Sequence, residues 1–232
     1  MVIRKEEKRG SHVEVIISFI IFVTFVVFLL SILIPTVTTN KDKENTFADV
    51  ELKVMDKVSS NLTSITVNLD NGGNCFDIAG LIGNNGIENN LVVKDNSGTN
   101  VESYADGDSL EIHPASSSDT FFKIYYSKEF DEVGTGSGCS DVGYTLGLTK
   151  TEKYVFEKKV INLVNANHED LEVEFKIPES IEFGYGIILS NGTIIETDDG
   201  ELSTNVYIKN TPIEYIDMDG NMQEGYLVTK VW

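Results

Sequence analysis

The sequence predicts one N-terminal transmembrane helix followed by a mainly β, α+β ectodomain of antiparallel sheets, a sandwich being one way to pack them. Three observations predict it. Val15 to Ile34 is a run of 20 uncharged residues, 17 of them Val, Ile, Leu or Phe. From Thr63 onward, short β-like runs alternate with clusters of Gly, Asn, Asp and Ser. Of the 18 basic and 37 acidic residues, only four and three lie in residues 1–35, which leaves 14 against 34 beyond them. A surface that acidic repels phosphate backbones, and no cluster of Lys and Arg interleaved with aromatics interrupts it, so nucleic acid is excluded as a partner. An apolar content of 41% excludes wholesale disorder.

The apolar run assigns residues 11–35 to a membrane helix. At about 1.5 Å per residue it spans about 30 Å, the hydrocarbon thickness of a bilayer. Each apolar residue near the centre favours insertion by about 0.3 to 0.6 kcal/mol, and the hydroxyls of Ser18, Thr24 and Ser31 can bond back to the helix backbone. Arg4, Lys5, Lys8 and Arg9 precede the helix, whereas Lys41, Asp42, Lys43 and Glu44 after it cancel. The positive-inside rule therefore puts residues 1–10, a basic leader, in the cytoplasm and the chain from about Thr36 outside the cell membrane. The run exceeds the roughly 7 to 15 residues of a secretory signal core, and Pro35 to Asn40 holds no small-x-small cleavage pattern. The helix is expected to stay attached.

Immediately before it stands Lys8-Arg9-Gly10-Ser11-His12-Val13-Glu14. Here the chain resembles archaeal type IV pilin-like proteins with a class III signal peptide, over about residues 4–35. In that family a short basic leader ends in Lys or Arg followed by Gly, a prepilin-peptidase-like membrane enzyme cuts there, and a Glu lies near the new N-terminus. The resemblance implies a cut between Gly10 and Ser11, and helices that pack with those of like subunits in a filament. It makes Glu14 the fourth mature residue, one place earlier than is usual, and puts Ser11 where many members have Gln. The chemistry of the Glu is charge neutralisation: a free α-amine and a carboxylate at the start of adjoining helices offset each other where desolvation is costly.

Residues 36–62 read as a polar stalk to about 45, then an amphipathic helix from about 45 to 61 carried by Phe47, Val50, Val54, Val58 and Leu62, with a break near Pro35. Residues 63–150 form a β-rich region with strands at Thr63–Leu69, Cys75–Leu81, Leu91–Lys94, Ser109–His113, Thr120–Ser127 and Tyr144–Thr149. Asp70 to Asn74, Gly83 to Gly86, Asp95 to Gly98 and Asp106 to Asp108 supply turn chemistry between them. Residues 151–232 form an α+β region: a helix over Thr151–Asn167, a strand over the alternating Leu171–Ile177 with a helix running into Pro178 as the alternative, then strands at Ile181–Leu189, Thr193–Thr197, Asn205–Lys209, Ile213–Ile216 and Tyr226–Trp232.

Cys75 and Cys139 both fall in the exported part, where an even and sparse count predicts one disulfide, worth about 4 kcal/mol in the chain-entropy model. Asn61-Leu62-Thr63 and Asn191-Gly192-Thr193 fit the N-glycosylation pattern, making Asn61 and Asn191 acceptor candidates. No catalytic, cofactor or metal motif emerges. His12, His113 and His168 lack zinc-ligand spacing to one another or to the cysteines. Gly134 to Cys139 lacks both the Lys-Ser/Thr of a phosphate loop and the Gly-x-Ser-x-Gly elbow, so it reads as a flexible loop ending in a disulfide Cys. Asp217-Met218-Asp219-Gly220-Asn221 offers alternating oxygens but not EF-hand spacing. It is expected to be a hairpin turn, with a weak calcium site as the alternative.

The reading that results is a surface-exposed, non-enzymatic pilin-like protein, structural or adhesive, assembling through its helix after leader cleavage. The alternatives are a monomeric single-pass anchored extracellular binding module and, less favoured by the missing motifs, an anchored surface hydrolase.

Overall fold

The computed structural model describes residues 12–83, 87–136, 138–178, 181–197 and 206–232. The leader, with Gly10 and Ser11, lies outside them, as do parts of the expected turn at 83–86 and the start of the strand at Asn205. The chain divides into two compact units, Met1–Thr46 and Phe47–Trp232.

The first helix, α1, is His12–Val58, 47 residues long. Neither the break near Pro35 nor the polar stalk to residue 45 is present: the backbone stays helical through both. Proline removes one N–H from the ladder, and helical turns on both sides of a single lost bond can keep the helix going. The expected helix over 45–61 is therefore the last part of α1, ending three residues earlier, where the Ser59 hydroxyl donates to the Met55 carbonyl at 2.6 Å and strand β1 (Ser59–Leu69) begins without a loop.

The second unit is mainly β. After β1 come β2 (Phe76–Ile78), β3 (Leu91–Lys94), β4 (Asn100–Asp106), β5 (Ser109–His113), β6 (Phe121–Tyr126), β7 (Ser140–Asp141) and β8 (Tyr144–Phe156). Helices α2 (Glu157–Val164) and α3 (His168–Phe175) follow, then β9 (Phe183–Ile188), β10 (Ile194–Glu196), β11 (Tyr207–Ile216) and β12 (Met222–Val231). The strands form one hydrogen-bonded succession, β10-β9-β12-β11-β8-β1-β6-β3-β4-β5-β2-β7. Antiparallel pairing, as expected, accounts for most of it. The sheet is nevertheless mixed, because β8 with β11 and β2 with β7 run parallel.

Three other expectations are corrected. The helix expected over 151–167 starts only at Glu157, because Thr151 to Val155 continue β8 and pair with Thr63 to Ser59 of β1. The strand expected over 171–177 is α3 instead. Leu171 and Phe175 are buried four residues apart while Val173 between them is 79% exposed, so the period is helical. Asn167 caps the helix, its Oδ1 accepting from the Glu169 N–H at 3.1 Å, and Lys176 ends it at φ 53°. Finally, the two strands expected at 205–209 and 213–216 are one, β11, running through Pro212. There β11 pairs with β12 alone, its contact with β8 being confined to Tyr215 and Ile216. The missing proline N–H thus costs no ladder bond on that side. Strand β4, whose Val101, Ser103 and Ala105 carry little apolar mass, was not expected at all.

Two main cores result. Val50, Val54 and Val58 of α1, Val160 and Leu163 of α2, and Leu171 and Phe175 of α3 pack with residues of β9, β11 and β12 such as Tyr185, Ile187, Tyr215 and Leu227. Ile65, Val67 and Leu69 of β1 join Ile78, Leu110, Ile112, Phe122 and Ile124 in the other. Leu62, on the opposite face of β1, packs with Phe130, Phe156 and Ile216 in a small third cluster. Strand β1 thus buries both its faces, one at each end.

Candidate functional site

Glu14 to Ser31 of α1 has a mean hydropathy of 2.7, and none of this window is buried. Val15, Phe19, Phe22, Phe25 and Phe28 are exposed, as are Ile16, Ile20, Val27 and Leu30, so apolar side chains face outward on every side. A helix with no polar face and no covering protein matches a lipid environment by length and composition. Two of its hydroxyls satisfy themselves internally, Thr24 to the Ile20 carbonyl and Ser31 to the Phe28 carbonyl, each at 2.8 Å. Glu14 sits in the first turn with its side chain exposed. There a carboxylate meets the positive end of the helix dipole.

Within the second unit the last turns of α1 are held by both packing and charge. Val50, Val54 and Val58 recur every four residues and are fully buried. Around them, Lys209 meets Glu51 at 2.8 Å, Lys153 meets Asp56 at 2.6 Å, and Lys57 pairs with Glu174. Burial raises the affinity of Glu51 for a proton, but hydrogen bonds from Lys209 and Thr211 outweigh it and hold the carboxyl below the ordinary glutamate range.

Cys75 and Cys139 form the expected disulfide, with Cα atoms 5.5 Å apart. They stand directly before β2 and β7, which pair in parallel as Phe76 to Ser140. The bond therefore staples the far edge of the sheet. The Gly-rich loop beside it is pinned in place. The Ala105 N–H donates to the Gly134 carbonyl at 2.8 Å, and the Gly138 N–H donates to Glu111 Oε1 at 2.6 Å. A Cβ at Gly136 would fall 2.3 Å from the Glu111 carboxyl carbon. Glycine is thus required where this loop crosses a fully buried glutamate.

Strand pairing brings two further groups to the disulfide. His113 Nε2 lies 3.7 Å from Cys75 Sγ and 3.5 Å from Cys139 Sγ. Glu111 Oε2 lies 3.6 Å from Cys139 Sγ and 3.7 Å from His113 Nε2. No local spacing signals this, since His113 is 38 residues from Cys75 and 26 from Cys139. Opposite Glu111 on β2, Asp77 has one buried carboxylate oxygen with no hydrogen-bond partner among the described residues. Burial raises its pKa, the Ser109 hydroxyl opposes the rise, and Asp141, Glu111 and Asp106 add to it. A second group of possible ligands, His168, Glu172 and Glu182, is half-exposed, and its imidazole stacks on Phe183 at 4.6 Å.

The Asp217–Asn221 segment is the expected turn, joining β11 to β12 with Gly220 at φ 74°. Asp217 accepts from the N–H groups of Asp219 at 3.0 Å and Asn221 at 2.7 Å. Lys94, almost wholly buried, donates to Asn221 Oδ1. Burial lowers its pKa, while Asp217 and Asp219 pull it back up. Both sequon asparagines are exposed, Asn61 on β1 and Asn191 in the turn between β9 and β10, where Asn191 Oδ1 accepts from the Thr193 N–H at 2.9 Å.

The described residues form a mainly β unit and an N-terminal apolar helix long enough to cross a membrane. No protein-family model, curated protein or solved structure matches it.

Proposed function

We propose that this is a membrane-anchored, surface-exposed pilin-like protein, structural or adhesive, whose apolar helix assembles with those of like subunits after the leader is removed. The observation that carries the reading is α1 itself. One 47-residue helix is apolar and uncovered over Glu14–Ser31 and ends with Val50, Val54 and Val58 in the core of a β-rich unit. A tether needs only the first of these properties. The second is the property of a subunit whose helix is built into its displayed domain.

In this reading the leader through Gly10 is cut off by a prepilin-peptidase-like enzyme, the lipid bilayer stores the subunit, and the new Ser11 amine pairs with Glu14 of a neighbour as water is lost. The disulfide and the two sequons suit an exported domain. The N-terminal sequence of the protein from its native membrane tests the proposal. A chain beginning at Ser11 supports it, whereas one beginning at Met1 or Val2 leaves a plain anchor carrying a monomeric binding module. Glu14→Ala is expected to be processed normally and to assemble poorly, and normal assembly would remove the charge pairing.

A further inference from the structure

The disulfide corner holds more chemistry than a staple requires. Three potential ligand atoms converge there from three separate segments: Cys75 before β2, His113 of β5 and Cys139 after the Gly-rich loop, with Glu111 two residues before His113 on the same strand. We propose that the reduced form of this corner is a zinc site, with the Cys75 and Cys139 thiolates and the His113 imidazole as its protein ligands and the Glu111 carboxylate orienting them from beside Cys139 and His113.

The spacing supports this directly. With zinc–sulfur bonds of about 2.3 Å and zinc–nitrogen or zinc–oxygen bonds of about 2.0 to 2.2 Å, the edges of a tetrahedral site run from about 3.3 to about 3.8 Å. The imidazole stands at these distances from both sulfurs, 3.5 Å from Cys139 Sγ and 3.7 Å from Cys75 Sγ. Only the two sulfurs are closer than a metal needs, being bonded to each other, and cutting that bond lets each Sγ swing about its own Cβ. Thiolate and imidazole donors select zinc over the calcium and magnesium that an acidic surface would otherwise collect.

The surroundings are those of a ligand set. Glu111 is fully buried, and the Gly138 N–H fixes one of its oxygens while the other faces the sulfurs and the imidazole. Such outer contacts orient metal ligands and tune their affinity. His113 packs edge-on against Tyr104 at 5.3 Å, which fixes its ring plane, yet its side chain keeps 28% exposure and leaves an ion a way in. The acids at this edge, Asp77 and Asp141 paired across β2 and β7, favour the arrival of a dication.

The chemistry balances. A phosphine gives two electrons to the disulfide and becomes its oxide with the oxygen of one water, whose two protons go to the sulfurs. Zinc then displaces both protons as it binds two thiolates. The test uses the full chain in detergent micelles, reduced anaerobically with a phosphine and titrated with cobalt(II) as a spectroscopic stand-in for zinc. One cobalt per chain is expected, with the visible bands of a tetrahedral site and thiolate-to-cobalt charge transfer in the near ultraviolet. Zinc should bleach both, and the oxidised chain should show neither. His113→Ala and Glu111→Gln, each folded as judged by near-ultraviolet circular dichroism of its oxidised form, should weaken binding by about 10-fold or more. Absence of the charge-transfer band, equal binding by the oxidised chain, undiminished binding by either variant, or a reduced chain that unfolds and is not restored by zinc would each overturn the assignment.

Discussion

Tyr185 of β9 donates its phenolic proton to the Leu163 carbonyl at the end of α2, 2.7 Å away and inside the core. That carbonyl belongs to the last turn of a helix, where acceptors have no partner within the helix; the Ala166 N–H, at 3.1 Å, and the tyrosine supply two. Burial pushes the phenol up to about 12. Because the folded state holds this proton more tightly than the unfolded chain does, the stabilisation is fully present below pH 10 and is lost as pH rises through about 12. Tyr185→Phe is expected to cost about 1 to 2 kcal/mol near neutrality. Alkaline unfolding curves should converge for the two proteins as the phenol ionises, and parallel curves up to pH 12 would contradict the linkage.

Glu51 gives the opposite pH dependence. Its carboxyl is held low by Lys209 and Thr211 against the pull of burial. The folded state therefore prefers the ionised form, and the contribution is present above the ordinary glutamate value of 4.5 and fades as pH falls through the lower folded value. Glu51→Gln should lower stability by about 1 kcal/mol at pH 7 and by less at pH 3, as read from urea unfolding at each pH.

The seam between α1 and the sheet can be probed with two neighbouring substitutions. Val54 is fully buried and Leu52 is 69% exposed. Val54→Ala should cost about 2 kcal/mol from lost burial and the residual cavity, whereas Leu52→Ala should change stability by less than about 0.5 kcal/mol. Equal effects in thermal unfolding would show that the helix end does not pack as described.

Asn167→Ala removes the cap of α3 and is expected to cost about 1 kcal/mol, with Asn167→Asp close to neutral because a carboxylate accepts the same N–H and suits a helix N-terminus. Chemical denaturation of the three proteins distinguishes capping from a general loss of the asparagine side chain.

Asn167 also marks where local reading of the sequence stopped. Leu171, Val173, Phe175 and Ile177 alternate as a strand would, but two buried residues four apart satisfy a helix equally well, and the Asn167 cap four residues before Leu171 is what decides between them. The same ambiguity hid the extension of β8 through Val155, whose partner Ser59 lies 96 positions earlier in the chain. Long pairings of that kind leave no mark in a short window.

By itself the sequence determined the properties set by composition and near neighbours. These are the uniformly apolar N-terminal helix, the β-rich remainder, the turn at Asp217 to Asn221, and the pairing of the only two cysteines. Each depends on hydropathy, turn chemistry or counting, which act within a few residues or need no geometry. Only the tertiary structure decided that α1 runs through Pro35 to Val58, that β1 and β8 form the long central pair, and that Glu111 and His113 meet the disulfide. Register between strands far apart in sequence is set by how two whole faces bury their side chains. A group of ligands assembled that way has no spacing of its own to read.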